Sequence, residues 1–307
     1  MTDPLPDLRV KKHIAYFKRC LYMLPEPYTE SDTNRMTLAC FCLSGLDLLG
    51  AIETDLTAEE RQQYIEWIYA QQVHPSQIEE DGQAGFRGSS WSGLPFGASS
   101  EPRTLYPYDT AELPSAYTAL VNLLVLGDDL SRVNKNGLLA SIRRLRREDG
   151  SFAPIVGSHE SDLRFVYISC AVSYILNDWS AIDTERTVAY IKRCETYDHG
   201  ISASPEREAH GGLTFCAVSS LTLLDRFQDG HSSKEALIYW LLSRQDGGFH
   251  GRVNKPCDTC YSFWLGATLV NLGADDLVNK EENRKFLMTT QTPYGGFGKF
   301  AGDLPGK

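Results

Sequence analysis

Two kinds of apolar segment alternate along this 307-residue chain. One kind is apolar nearly all round: Ala116 to Leu126, Phe165 to Leu176, Leu213 to Leu224 and Tyr261 to Leu272. A helix without a polar face must be enclosed on every side. The other kind is amphipathic, as in Leu138 to Arg146, Thr184 to Cys194, Lys234 to Ser243 and Glu281 to Thr289. The alternation predicts helix pairs, with an inner ring of buried helices wrapped by an outer ring of half-exposed ones. Leu5 to Leu24 and Met36 to Gly50 predict further helices, and Thr57-Ala-Glu-Glu60 is a capping box opening a helix that runs to Gln72.

A turn motif punctuates the pairs. Asp149-Gly-Ser-Phe152, Asp198-His-Gly-Ile201, Asp246-Gly-Gly-Phe249 and Tyr294-Gly-Gly-Phe297 recur at intervals of 49, 48 and 48 residues. Gly85-Phe86 precedes them by a longer interval that holds the Ser/Gly/Pro-rich stretch Ser89 to Tyr108. Repeats of this length stack one supersecondary unit on its copies. A β-propeller has repeats of similar length, but it needs short alternating β-branched runs, and these segments extend for ten or more residues of Leu, Ala and Lys/Arg. The expected fold is therefore all-α, an α/α toroid (barrel) forming a single domain over residues 1–307, with turns near 85, 150, 200, 248 and 296.

Composition narrows the function. A net charge of −10 argues against nucleic acid, which normally demands a basic face. No apolar run approaches the ~20 residues needed to cross a bilayer, and the first residues lack the pattern of a signal peptide. The eight cysteines are scattered, and Cys40, Cys42, Cys170 and Cys216 sit in apolar helical runs as small buried hydrophobes. A reduced, cytoplasmic protein is expected.

The chemistry concentrates in Arg252-Val-Asn-Lys-Pro-Cys-Asp-Thr-Cys-Tyr-Ser-Phe-Trp264. Arg252 and Lys255 suit a phosphorylated ligand, and Asp258 beside Cys260 suits a divalent metal such as zinc. Asp162, His210 and Asp258 are spaced by 48 and 48 residues, so each opens the inner helix of its unit and the three line one mouth of the barrel. Helix N-termini there favour a diphosphate and lower a thiol pKa. Plainer roles stand beside these: solvated loop cations, a Cys257–Cys260 pair in a structural metal or redox site, N-caps at His210 and Asp258, and an ordinary core tyrosine at 261.

Gly85-Phe-Arg-Gly-Ser-Ser90, Leu126-Gly-Asp-Asp-Leu-Ser-Arg-Val-Asn134, Arg164-Phe-Val-Tyr167, His210-Gly-Gly212 and the Arg252–Trp264 segment together carry a resemblance over nearly the whole chain. The sequence resembles the β subunits of the protein prenyltransferase family, in the type I geranylgeranyl branch. The resemblance implies a heterodimer with a helical-repeat α subunit. It implies zinc-dependent transfer of geranylgeranyl from geranylgeranyl diphosphate to the cysteine of a C-terminal Cys-a-a-X motif, where X is Leu or Phe. Substrates implied are small GTPases of the Rho, Rac and Rap type. Asp258 and Cys260 match catalytic zinc ligands. His210, Gly211 and Gly212, with Arg252, Val253, Asn254 and Lys255 and with Tyr261, Ser262, Phe263 and Trp264, match the segments that hold the diphosphate lipid. Arg164 matches a residue shaping the peptide and lipid site. Thr37 falls where the farnesyl branch carries a Trp that shortens the lipid pocket. Lys299 matches a lysine that stands in for magnesium, so that magnesium is not required.

In the family a histidine on a further inner helix supplies a third zinc ligand. By the 48-residue register that helix would open near position 306. The expectation is a ring that lacks its last repeat and a zinc site with two nameable ligands. Two alternatives follow. One is a truncated, non-catalytic isoform that still binds the α subunit or the diphosphate lipid. The other is a terpene cyclase-like enzyme, disfavoured because no Asp-x-Asp-Asp motif is present and Gly127-Asp-Asp129 comes nearest.

Overall fold

A computed structural model describes residues 7–24, 26–74, 83–90 and 110–305. In chain order the helices are α1 (Val10–Tyr22), α2 (Arg35–Leu48), α3 (Ile52–Asp55), α4 (Ala58–Ala70), α5 (Leu113–Val125), α6 (Lys135–Leu145), α7 (Leu163–Ile175), α8 (Thr184–Arg193), α9 (Gly211–Leu223), α10 (Phe227–Gly230), α11 (Lys234–Leu242), α12 (Thr259–Asn271) and α13 (Lys280–Thr290). Two-residue strands pair antiparallel as β1 (Gln72–Val73) with β2 (Gly85–Phe86), and β3 (Gln245–Asp246) with β4 (Gly248–Phe249). The Ser89 to Tyr108 stretch lies, beyond its first two residues, outside the described residues.

The α/α toroid is as expected. Packed side by side, α2, α5, α7, α9 and α12 form the inner layer, and α1, α4, α6, α8, α11 and α13 wrap it. Helices α5, α7, α9 and α12 begin two or three residues earlier than their apolar runs, and in α7, α9 and α12 an N-cap side chain holds the added first turn. Asp162 accepts from the Arg164 N–H, His210 from that of Gly212 and Asp258 from that of Cys260. They end alike, on a left-handed residue: Gly50, Gly127, Asn177, Asp225 and Gly273. At Gly127 this makes a Schellman closure, with its N–H on Leu124 O and that of Asp128 on Leu123 O. The capping box at Thr57 and Glu60 opens α4.

The last residue of the turn motif plugs the core: Phe86, Phe152, Ile201 and Phe249 are fully buried. Each turn also packs onto the outer helix of the next unit. Gly150, at φ +92°, lies where a Cβ would meet Arg186 O of α8 at 2.1 Å, and Trp240 Nε1 of α11 donates to Asp198 at 2.9 Å. The final turn follows the same rule with a distant helix. Gly295, at φ +91°, leaves a Cβ only 2.1 Å from Lys12 O, and Gly296 N–H donates to His13 Nδ1 at 2.9 Å. Helix α1 thus takes, for the turn at 294–297, the place that α8 and α11 take for earlier turns.

One expectation needs correcting. Helix α12 is not enclosed on every side, since Phe263 is 59% and Val270 60% exposed. On α2, Phe41 is 58% exposed. On α7, which is flanked by α5 and α9, Tyr174 is likewise 61% exposed, so an inner helix keeps part of its surface open even between neighbours.

Candidate functional site

The N-termini of the inner helices gather at one end of the ring, and most of the sequence-derived candidates sit there. Gly211 N–H donates to Gly251 O at 2.8 Å, which ties the start of α9 to the loop before α12. Gly251 is required by the packing above it: a Cβ there would lie 2.0 Å from Cζ of Tyr261. The ring so placed puts the Tyr261 hydroxyl 3.0 Å from His210 Nε2. His210 Nδ1 accepts the Gly212 N–H at 3.1 Å. Burial lowers the His210 pKa, and the nearby Arg252 charge adds to the effect. The Tyr261 pKa is raised, chiefly by burial and then by Cys260 and Asp258.

Next to this pair stands the candidate metal centre. Asp258 Oδ1 accepts the Cys260 N–H at 3.0 Å, and Lys299 Nζ lies 3.6 Å from Asp258 Oδ2. Lys299 is placed by Thr259, whose hydroxyl donates to Gly298 O at 2.8 Å. The thiol of Cys260 is pushed up to about 12, first by desolvation and then by its hydrogen bond with Asp258. The expectation that the helix terminus would lower a thiol pKa does not hold at Cys260, because burial, and after it the adjacent Asp258 carboxylate, outweigh it. A cation between carboxylate and sulfur would reverse that balance, and an oxygen donor beside a sulfur donor is chemistry that suits zinc. Two donors do not complete a site, and no group of three or more His, Cys, Asp or Glu fit to hold a metal occurs among the described residues.

The remaining candidates are distributed more widely. Arg252 lies 3.5 Å from Glu208 Oε2, and its carbonyl faces His250 Nδ1 at 2.7 Å. Val253, Asn254 and Lys255 form an exposed loop at the rim, with Asn254 left-handed at φ +58°. Arg164 is engaged by Asp162 at 2.6 Å and Glu160 at 2.7 Å, and its pKa rises through the Asp162 hydrogen bond. Ser262 turns to the outer layer and donates to Asn283 Oδ1 at 2.7 Å. Phe263 and Trp264 pack about Phe215, with centroids at 5.5 and 5.1 Å. Thr37 sits three residues after the N-cap of α2, as Tyr261 does in α12, so it lies at the same mouth rather than at the opposite end of the helices.

Glu208, Gly251 and Thr259 were not singled out from the sequence. Gly251 carried a usable signal, as a glycine directly before Arg252. The partnership of Glu208 with Arg252 crosses two units and leaves no local trace.

The family model for the prenyltransferase alpha-alpha toroid domain matches residues 8–306. The chain is 40% identical over 321 residues to the geranylgeranyl transferase type-1 subunit beta of Arabidopsis thaliana, covering 99% of this chain and 83% of that protein. It is 40% identical over 306 residues to the subunit of the same name from Dictyostelium discoideum, covering 96% of this chain and 86% of that one. Among solved structures, Candida albicans protein geranylgeranyltransferase-I complexed with GGPP superposes with a TM-score of 0.83 at 27% identity, over 98% of this chain and 88% of that chain. With the ring of helix pairs and the capped mouth described above, these likenesses make the chain a member of the prenyltransferase α/α toroid family, similar within it to type I geranylgeranyl transferase β subunits.

Proposed function

We propose that this chain is the β subunit of a type I protein geranylgeranyltransferase. It pairs with an α subunit and transfers geranylgeranyl from geranylgeranyl diphosphate to the cysteine of a Cys-a-a-X terminus with Leu or Phe last, as on Rho-, Rac- and Rap-type GTPases. The observation that carries this is the assembly of His210, Tyr261, Asp258, Cys260 and Lys299 at one mouth, under the exposed cations of the 252–255 loop. Transfer joins the acceptor sulfur to C1 of the isoprenoid as the C1–O bond breaks, and negative charge grows on the departing diphosphate. Arg252, Lys255, Lys299 and the Tyr261 hydroxyl are the groups that stabilise it. Asp258 and Cys260, with a further ligand, would hold zinc, which would supply positive charge favouring ionisation of an acceptor thiol. Lys299 provides a cation at the diphosphate, so magnesium is not needed.

The test is to purify the chain with a prenyltransferase α subunit and measure zinc content and transfer to a Cys-a-a-Leu peptide. Stoichiometric zinc and transfer, both lost in Asp258→Asn and Cys260→Ser, support the proposal. The presence of only two metal donors among the described residues favours a second possibility, a subunit that binds lipid without turnover. Tight geranylgeranyl diphosphate binding with neither zinc nor transfer would establish that one instead.

A further inference from the structure

Three cations at the mouth each face a carboxylate. Arg164 is gripped at 2.6 Å by Asp162 and at 2.7 Å by Glu160. Lys299 Nζ stands 3.6 Å from Asp258, which is a candidate metal ligand. Arg252 Nη1 stands 3.5 Å from Glu208 Oε2, and Glu208 has no part in the chemistry described so far. The two residues come from different units, and the backbone fixes both. Ala209 bridges antiparallel to Ser202, and the His210 N–H donates to Ile201 O at 3.0 Å. Opposite them the Arg252 carbonyl lies 2.7 Å from His250 Nδ1, and the Gly211 N–H on Gly251 O joins the two segments. We propose that Glu208 is an exchangeable counter-anion, which holds Arg252 until the diphosphate of the lipid substrate displaces it.

Distance and exposure separate an exchangeable partner from a fixed one. Charge-assisted bonds between guanidinium and carboxylate close to about 2.7–2.9 Å. Arg164 is held at that range by two carboxylates and is committed to them. The Glu208 contact is longer, and its side chains are 60% and 41% exposed, so water screens the pair and it is weak. A diphosphate carries more charge and offers oxygens that the guanidinium fork takes two at a time, so it outcompetes one carboxylate. Both charges also reach the His210–Tyr261 pair. Burial and then the Arg252 charge lower the His210 pKa, and Glu208 acts against them. The inference rests on the reading of this mouth as a diphosphate site. After transfer the exchange runs in reverse: diphosphate departs and the carboxylate returns to the guanidinium.

The heterodimer with a prenyltransferase α subunit is titrated calorimetrically with geranylgeranyl diphosphate and, separately, with inorganic diphosphate. Wild type, Glu208→Gln, Arg252→Gln and the double variant are compared. Glutamine keeps the size of each side chain and removes its charge. Glu208→Gln should bind both ligands about twofold to fivefold more tightly, the range set by loss of one exposed ion pair. In the Arg252→Gln background it should bring no gain. A merely structural role for Glu208 would show as weaker binding, since damage to the mouth does not raise affinity. Unchanged or weaker binding by Glu208→Gln, or an equal gain with Arg252 already replaced, would overturn the inference and leave the diphosphate reading standing. Wild type that binds neither ligand would overturn both.

Discussion

The Tyr261 hydroxyl sits 3.0 Å from His210 Nε2 and joins the first turns of two neighbouring inner helices. Because Nδ1 of the same ring accepts the Gly212 N–H, the neutral imidazole carries its proton on Nε2. Nε2 is then the donor and the phenol oxygen the acceptor. The phenolic proton is left free to point at a diphosphate oxygen.

Tyr261→Phe removes that proton and the bond to His210. A net hydrogen bond is worth about 0.5–1.5 kcal/mol, so affinity for geranylgeranyl diphosphate should fall roughly threefold to tenfold. Titration calorimetry of the heterodimer reads this, and unchanged affinity would mean that the phenol does not face the lipid.

Gly251→Ala reaches the same tyrosine by another route. The added methyl collides with the Tyr261 ring, which must move away from His210. Overpacking of this kind costs ~1–3 kcal/mol, read as a lower melting temperature. Combined with Tyr261→Phe, the loss of lipid affinity should be less than additive.

Stability should fall in mild acid. His210 and His231 both have pKa values lowered by burial. His231 is held neutral by geometry as well, with Nε2 3.1 Å from His199 O and Nδ1 accepting the Ser233 N–H at 3.2 Å. Each contributes fully above the unfolded histidine value of about 6.5, and the contribution is lost as pH falls from there toward the lowered folded value. Melting temperature followed from about pH 8 to 5 should drop below about 6.5, and His231→Gln should flatten the slope.

Lys299→Ala removes the cation beside Asp258. Turnover should fall on the order of 10²-fold, as for the loss of one stabilising group at a developing charge, and added magnesium should restore part of it. Turnover indifferent to both changes would show that Lys299 does not serve the diphosphate.

Thr37→Trp places an indole at the mouth. If Thr37 borders the lipid path, relative kcat/KM should shift by ~10-fold or more from geranylgeranyl toward farnesyl diphosphate. Equal specificity constants for wild type and variant would remove Thr37 from that path.

The ring was legible because each unit repeats its own physics. An apolar helix, a polar cap and a glycine turn recur in register, so Asp162, His210 and Asp258 identified themselves as equivalent positions. Contacts between units were less accessible. His210 and Tyr261 are not equivalent positions in their units, and only the lateral packing of α9 on α12 makes them neighbours. The rise in the Cys260 pKa was missed because the helix terminus was weighed without the thiol's burial and the carboxylate beside it. The role of α1 was hidden for a different reason: it reads as one more amphipathic N-terminal helix, and its partners lie some 280 residues away.

That distance has a kinetic meaning. Helix α1 is synthesised long before the turn it clamps through His13, with Phe297 stacked on the imidazole at 4.7 Å. At ~5–20 residues per second, roughly 15–60 s separate the two during translation. Closing so long a loop is entropically slow, so the seal between α1 and the 294–297 turn is expected to form last in folding and to open first on unfolding. Helix α1 and the 294–297 turn act as a clasp, set only after the units between them have stacked.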